Sequence, residues 1–462
     1  MSPEHTRPLP GRHAGRTRSS GALKPLAVAG ALTLASMLAQ AQNLQDLYDA
    51  ARSYDATYLA ARSTADAAQY RLAQSGALRL PVASLSASTT RSGSDIPNRE
   101  DNFYGTSNLL TLNARQPLYN RANSDTISQA EKAYEIATAD LELAEQDLIV
   151  RLAQAYFDVL AAQDTLTTTQ ANKKAITEQL ASAKRNFEVG TATITDTREA
   201  QAQFDRISAQ EIAAQNDLST RRAALDTLVG RSGITPRPLA VPVVIPPLTR
   251  DSVDDWLSSA DAENPTVRKA RLAFDIAQIE TDKARAGHLP TLDLVGSVGG
   301  SNNSGLSGVG TGTGTLPGTF RNGSIGLQLN VPVFSGFAVQ NRVKETLDLA
   351  EKSRNELDGA RRGVALSVRQ SFFGVNSGRA LVKALEAAES SSQLALEATQ
   401  LGYKVGVRVT LDVLNAQTQL FTTQRDLAKS RYDLVLTSFR LHQAAGLLRP
   451  DSVATVNQLL AK

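Results

Sequence analysis

The stretch YEIATADLELAEQDLIVRLAQAYFDVLAAQDTL, residues 134–166, carries the pattern that decides the fold. Apolar side chains recur in it every three or four residues, which is the spacing of one face of an α-helix. The stripe continues far longer than an ordinary globular helix requires, and its many alanines let neighbouring helices approach closely. The pattern therefore predicts a long, coiled-coil-like helix with this stripe: Tyr134, Ala137, Leu141, Ala144, Leu148, Leu152, Ala155, Val159, Ala162 and Leu166.

Two long stretches without proline support the prediction of long helices. No proline occurs between Pro117 and Pro236, or between Pro332 and Pro450. Both stretches are rich in Ala, Leu, Gln, Glu, Arg and Lys, which favour helix. If residues 122–187 form one helix, its length is roughly 100 Å at about 1.5 Å per residue.

Four short segments outside these stretches alternate apolar and polar residues with a period of two, which predicts β-strands. They follow Pro81, lie around 110–115, follow Pro290, and run from Ile325 to Val333. Polar, glycine-containing loops at 91–108 and 299–322 join them in pairs. The sequence therefore predicts two hairpins, 82–118 and 290–334, each with one apolar and one more polar face.

The chain also repeats itself. The segment FEVG at 187–190 returns as YKVG at 403–406, and Leu80-Pro81 returns as Leu289-Pro290. Collinear agreement across helices and strands predicts an internal duplication. The first repeat is 42–230 with a turn near 187–196, and the second is 253–446 with a turn near 403–410. An equatorial linker, 231–252, joins them, and a C-terminal tail, 447–462, follows.

The N-terminus has the order of a secretion signal: a positive leader, a short apolar core at 25–38, and a small-x-small site at Ala39-Gln40-Ala41. We expect residues 1–41 to be a signal peptide that is cleaved after Ala41. This segment carries five basic residues and one acid, a net +4 against +3 for the whole chain, so the remainder is near −1. The basic balance is therefore no argument for nucleic-acid binding.

Four strands cannot close a membrane barrel, because the smallest single-chain barrels have about eight. Left alone, the two hairpins would expose unpaired edges and an apolar face. Three chains would supply twelve strands, with the apolar face toward lipid and the polar face toward water. The long helices are too polar to lie in lipid and must pack outside the membrane.

Three motifs make the sequence resemble the TolC family of outer-membrane efflux and secretion proteins over essentially its whole mature length. They are GHLPTLDL at 287–294, FEVGTATITD at 187–196 and GYKVGVRVTLDVL at 402–414. The resemblance implies an α+β membrane protein: a homotrimer with a twelve-stranded outer-membrane β-barrel and a long periplasmic α-helical coiled-coil tunnel.

The resemblance also implies a function. The chain would be the passive, gated exit duct of a tripartite efflux or type I secretion system in the cell outer membrane. Its partners would be outer-membrane lipid, a periplasmic membrane-fusion (adaptor) protein and an inner-membrane ABC or proton-coupled transporter. The alternatives are a duct dedicated to protein-toxin secretion and, in a different class, a secreted coiled-coil structural protein.

The candidate site lies at the two helix turns. Gly190 and Gly406 are interpreted as helix-ending turn glycines. Asp412 and Asn415 lie three apart on one helix face, and by resemblance they form a periplasmic gate constriction. The family places two acids there, so Asn415 implies weaker cation preference. The resemblance assigns a gate-locking network to Thr195, Asp196, Tyr403 and Arg408.

An enzyme is not expected. The mature chain contains only His288 and His442, far apart in sequence, and it contains no cysteine. A histidine-based triad or metal site therefore lacks material, and no cofactor is predicted. The glycine-rich stretch 299–314 has neither a GxGxxG register nor a P-loop lysine, and is interpreted as a surface loop.

Overall fold

The computed structural model describes residues 42–94, 103–240, 250–304 and 317–461. The predicted signal peptide, 1–41, lies outside the described residues, as does 241–249 within the predicted linker. Parts of both hairpin loops also lie outside them.

The first half of the chain builds two short helices, a hairpin and two long helices. The helix predicted over 122–187 is confirmed as one continuous helix of 68 residues, which corresponds to roughly 100 Å. Its polar start is capped by Asn120, whose side chain accepts a hydrogen bond from the Asn123 N–H. The elements are α1 (Leu44–Tyr54), α2 (Ala56–Gly76), β1 (Val82–Ser94), β2 (Phe103–Tyr119), α3 (Arg121–Glu188) and α4 (Ile194–Val229).

The second half presents the same kinds of element in the same order. Its long helix has 67 residues, and a short additional helix follows near the C-terminus. The elements are α5 (Val253–Glu263), α6 (Pro265–Arg285), β3 (Thr291–Ser304), β4 (Gly318–Asn330), α7 (Ala338–Lys404), α8 (Thr410–Ala444) and α9 (Pro450–Asn457). The tail is thus partly helical, and the side chain of Asn457 accepts a hydrogen bond from the Leu44 N–H at 3.0 Å.

The four strands form one antiparallel sheet in the order β1-β2-β3-β4. In each row of the register, opposite residues share a face; one row is Leu85, Leu112, Val298 and Gly323. This apolar face is exposed in the single chain, and its exposed large side chains include Leu85, Leu110, Leu112, Val298, Ile325, Leu327 and Leu329. The opposite, polar face carries mainly Ser, Thr, Asn and Gly. Within the chain, β1 and β4 each pair along one edge only.

The predicted hairpin loops, 91–108 and 299–322, were too long. Pairing continues to Ser94 and begins again at Phe103 in the first hairpin, and it continues to Ser304 and restarts at Gly318 in the second. Backbone hydrogen bonds sustain these strands where apolar alternation has stopped. The last strand was predicted to reach Val333, but it ends at Asn330, beside Pro332, which has no N–H to donate to a ladder.

The main core joins α1, the middle of α3, the C-terminal parts of α4 and α8, and α9. Tyr156 is fully buried there, and its hydroxyl accepts from the Arg237 N–H at 2.8 Å and donates to the Arg237 carbonyl at 2.9 Å. Trp256 is also fully buried; its Nε1 donates to the Arg250 carbonyl at 3.0 Å, and its ring contacts His442 edge-on. Trp256 therefore serves packing. No helix in the described ranges has the length and hydropathy needed to cross a membrane.

Candidate functional site

The first turn joins α3 to α4. After α3 ends at Glu188, Gly190 takes a φ of +78°, a left-handed conformation that L side chains adopt only with strain. The Thr191 N–H then donates to the Asn186 carbonyl at 2.8 Å. This bond satisfies a carbonyl at the end of α3, and the turn reverses the chain direction.

The second turn joins α7 to α8 with the same geometry. Gly406 has a φ of +79°, and the Val407 N–H donates to the Gly402 carbonyl at 2.9 Å. Both turns expose apolar side chains: Val189 is 73% exposed and Val407 is 78% exposed. The two turns therefore form a pair of similar, solvent-facing tips.

The two turns differ in how the next helix begins. In the first, Asp196 Oδ2 accepts from the Thr193 N–H at 2.9 Å and the Thr193 hydroxyl at 2.7 Å. In return, the Thr193 hydroxyl oxygen accepts from the Asp196 N–H at 3.2 Å. This reciprocal arrangement is a capping box, and it fixes the Asp196 carboxylate against its own helix.

In the second turn Val409 occupies the cap position, and valine has no side-chain acceptor. Asp412 still accepts from the Val409 N–H, but at 3.4 Å. Arg408 Nη1 lies 3.7 Å from Asp412 Oδ2, with both side chains partly exposed. Such an exposed pair contributes little stability. Asp412 is therefore held more loosely than Asp196.

Asn415 follows Asp412 on α8 and is exposed. Because the two residues are three apart, they lie on the same helix face. Val413 and Leu414 between them are buried, which anchors this end of α8 while Asn415 remains exposed.

One side-chain contact joins the two turns directly. Asn186 Nδ2 donates to the Tyr403 hydroxyl oxygen at 3.3 Å, and the Thr410 hydroxyl lies 3.5 Å from the same oxygen. Deeper in, Leu414 packs into the apolar cluster that holds the α3–α4 pair together. Gln203 Nε2 of α4 also donates to the Thr418 hydroxyl of α8 at 3.2 Å. Within the described residues, this end of the α7–α8 hairpin is therefore attached to the α3–α4 hairpin by two side-chain hydrogen bonds and a small apolar contact.

The structure brings together only some of the predicted site residues. Within the described residues, the ion pair of Arg408 is with Asp412 and none is formed with Asp196. Thr195 is exposed at the start of α4. Tyr403 contacts Asn186, which sequence reasoning missed because a helical asparagine carries no distinctive signal. The capping box was detectable in advance from its pattern, Thr193-x-x-Asp196.

A second polar contact joins α8 to α3 about seven turns of helix before Gly190. The Tyr432 hydroxyl donates to Asp164 Oδ2 at 2.6 Å. Burial raises the pKa of Asp164, and the hydrogen bond from Tyr432 offsets part of that rise. Burial and the same hydrogen bond raise the pKa of Tyr432.

The described residues contain no cluster of three or more His, Asp and Glu side chains that could hold a metal ion. The turns carry instead partly exposed carboxylates, Asp196 and Asp412, and the exposed amide of Asn415.

Comparison with known proteins agrees with this description. The model of the outer membrane efflux protein family matches residues 47–231 and 256–447. The chain is 34% identical to outer membrane protein TolC of Vibrio cholerae, over 94% of this chain and 98% of that protein. It is 32% identical to the alkaline protease secretion protein AprF of Pseudomonas aeruginosa, over 88% of this chain and 85% of that protein.

The fold is similar to the crystal structure of the outer membrane protein VceC of Vibrio cholerae. The TM-score is 0.72 at 20% sequence identity, and the match covers 87% of this chain and 96% of that chain. At this identity the likeness concerns the fold alone.

Proposed function

This chain belongs to the outer membrane efflux protein family, and we propose that three copies of it form a gated duct through the outer membrane. The resemblance to TolC is confirmed by relatives that match over most of the chain. The family and these relatives are outer-membrane channel proteins, so this chain is an outer-membrane exit duct and not an enzyme.

The four-stranded sheet is the observation that best supports a trimer. It has an exposed apolar face, a polar face, and two strands, β1 and β4, that pair along one edge only. Unpaired strand edges are excluded from the hydrocarbon of a bilayer. Pairing β1 of one copy with β4 of the next, three times over, closes twelve strands with lipid outside and water inside. The repeated element order supports an origin by internal duplication.

The helices continue this duct into the periplasm in our proposal. An adaptor protein and an inner-membrane transporter, either an ABC or a proton-coupled pump, deliver the cargo to it. The chain itself performs no energy-consuming step. It contributes a water-filled path and a gate that opens when the assembly forms.

The gate in this proposal is the ring of α7–α8 turns around the three-fold axis. Three copies of Asp412 and Asn415 line the constriction, and the carboxylates attract cations. The loose hold on Asp412 and the long hydrogen bond from Asn186 to Tyr403 support a gate, because few polar interactions at the tip must break for the first turn of α8 to move. Asp196 and Thr195 lie on the neighbouring turn, where Arg408 of an adjacent chain is a further partner for Asp196.

Protein secretion is a second candidate within the same class. The relative AprF is an alkaline protease secretion protein and matches at 32% identity. Efflux and secretion can be separated by expressing the chain in cells that lack their own exit duct. Restored resistance to small toxic compounds supports efflux, whereas restored export of a protease supports a secretion duct.

Conductance across a planar bilayer tests the proposed function. Detergent-purified protein is expected to give small, cation-preferring steps, and Asp412→Ala is expected to reduce the preference or to open the channel more readily. If conductance is unaffected by the substitution, the duct stands and the gate assignment is wrong. If a folded oligomer gives no channels at all, the duct itself is contradicted.

A further inference from the structure

The strands carry very few charges, and their placement is uneven. The four strands together contain Arg91, Arg115, Asp293 and Arg321 as their only charged residues. The register puts Arg91 and Arg321 on the apolar face, and Arg115 and Asp293 on the polar face. The polar face therefore has one acid and one base among residues that are mainly hydroxyl, amide and glycine.

Arg115 and Asp293 form one diagonal ion pair between the two hairpins. Arg115 Nη2 donates to Asp293 Oδ2 at 2.6 Å. The side chains differ greatly in exposure in the single chain: 61% for Arg115 and 6% for Asp293. The carboxylate is thus withdrawn into the protein, and a solute approaching this face meets the guanidinium.

The ion pair with Asp293 leaves most of the N–H donors of the Arg115 guanidinium available to a ligand. Arginine carries five N–H groups in a planar fork that matches carboxylate and phosphate oxygens. The described ion pair uses one of the five. Asp293 Oδ1 is buried and has no hydrogen-bond partner among the described residues, so Arg115 is the counter-charge that this carboxylate depends on.

Arg115 lines a pocket at the helix end of the sheet. Its volume is about 660 Å³, and its polar lining includes Ser84, Asn113, Asn123 and Ser297 beside Arg115. Hydroxyl and amide groups can each donate a hydrogen bond to an anion. No carboxylate lines the described pocket.

We propose that this pocket is an anion-binding site in the lumen of the duct, and that it favours passage of solutes bearing carboxylate or phosphate groups. The inference rests on the proposed trimer, which places three copies of Arg115 around the lumen. The exposed group in this ring is a guanidinium cation, whereas the charged group at the gate is the Asp412 carboxylate. The duct then has a cation-attracting constriction at one end and an anion-attracting ring where the strands meet the helices.

Block of single-channel current by tripolyphosphate, added on the sheet side, tests the proposal. The single-channel current of the wild type is expected to decrease as the tripolyphosphate concentration increases. The double variant R115S/D293N, which leaves no unpaired buried charge, should need about tenfold more for half-block, since a charge-assisted hydrogen bond is lost. Arg115→Lys keeps the charge but not the fork, so an intermediate value is expected.

Arg91→Ser is the matched control, because Arg91 lies on the opposite face of the same sheet. Its half-block concentration should equal that of wild type. Equal block in wild type and R115S/D293N would overturn the anion site while the potassium chloride current still demonstrated the duct. Absence of any current from wild type would instead overturn the proposed function, and the anion site with it.

Discussion

The side-chain amide of Asn186 donates a hydrogen bond to the hydroxyl oxygen of Tyr403 at 3.3 Å, and this contact joins the last turn of α3 to the last turn of α7. The same oxygen also accepts a hydrogen bond from the Thr410 hydroxyl, with 3.5 Å between the two oxygens. The tyrosine therefore lies where the ends of the two helical hairpins meet. In the proposed gate, these bonds favour the closed state.

Replacing Tyr403 by phenylalanine should favour the open state. The change keeps the ring but removes the hydroxyl, which costs about 1 kcal/mol per hydrogen bond, or roughly a fivefold shift in the closed–open equilibrium per chain. The measurement is the fraction of time that single channels spend in larger conductance states. Tyr70→Phe is the control, because Tyr70 lies on α2, is 69% exposed, and is remote from the turns. Equal open fractions in both variants would contradict a locking role for Tyr403.

Replacing Asn415 by aspartate should strengthen cation preference. It would add a second ring of carboxylates on the face that carries Asp412, so the reversal potential in a potassium chloride gradient should shift further toward the potassium value. Asp196→Asn is the comparison: it weakens a capping box and is expected to cost about 1 kcal/mol of stability while changing selectivity little. If the reversal potential changes with Asp196→Asn and does not change with Asn415→Asp, the constriction lies at the α3–α4 turn, and its assignment to the α7–α8 turn is contradicted.

Asp164 and Asp55 should give opposite pH dependences of stability. Burial raises the pKa of Asp164 in the folded chain, partly offset by Tyr432. The stabilisation that protonated Asp164 gives to the folded chain is therefore fully present below the ordinary aspartate pKa. It is lost as pH rises through the raised pKa of the folded chain. Asp164→Asn should remove this loss, so the melting temperature of wild type relative to the variant should fall as pH increases across that window.

The stabilisation that Asp55 gives has the opposite pH dependence. Arg151 donates two hydrogen bonds to the Asp55 carboxylate at 3.0 Å each, and they lower its pKa despite partial burial. This stabilisation is present above the ordinary aspartate pKa and is lost as pH falls through the lowered value. Asp55→Asn should cost about 1–2 kcal/mol near neutral pH and progressively less in acid. Parallel pH profiles for the two variants would contradict these assignments.

Much of the fold was predictable because its signals are long. The helical stripe from Tyr134 to Leu166 indicated α3 correctly, since dozens of residues repeat one spacing. The strand ends were not predictable by the same means. Alternation fades in the Ser-, Gly- and Asn-rich segments before Ser94 and Ser304, where backbone pairing continues without an apolar face.

The candidate site was less accessible to sequence reasoning. Gly190 and Gly406 indicated turns because glycine is the residue that most readily adopts a positive φ at the end of a helix. Both residues do have a positive φ. The partners of the polar side chains were another matter: Asn186 lies 217 positions from Tyr403, and Arg115 lies 178 positions from Asp293. Such contacts depend on how helices and hairpins pack, which no local pattern encodes. The gate roles of Asp412, Asn415, Thr195, Asp196, Tyr403 and Arg408 stay predictions.

Disulfide formation between β1 and β4 tests the central claim, closure of the sheet by three chains, most directly. The chain has no cysteine, so Ser84→Cys can be paired in turn with cysteine at even-numbered positions of β4 from Phe320 to Gln328. Within one chain β2 and β3 separate the two edges by roughly 14 Å, too far for a disulfide, which needs Cα atoms within about 7 Å. We predict that one register gives a covalent ladder of one, two and three chains and nothing larger, while each single-cysteine variant stays monomeric on a denaturing gel. A ladder that continues beyond three chains, or no cross-link at any position, would contradict the closed trimeric barrel.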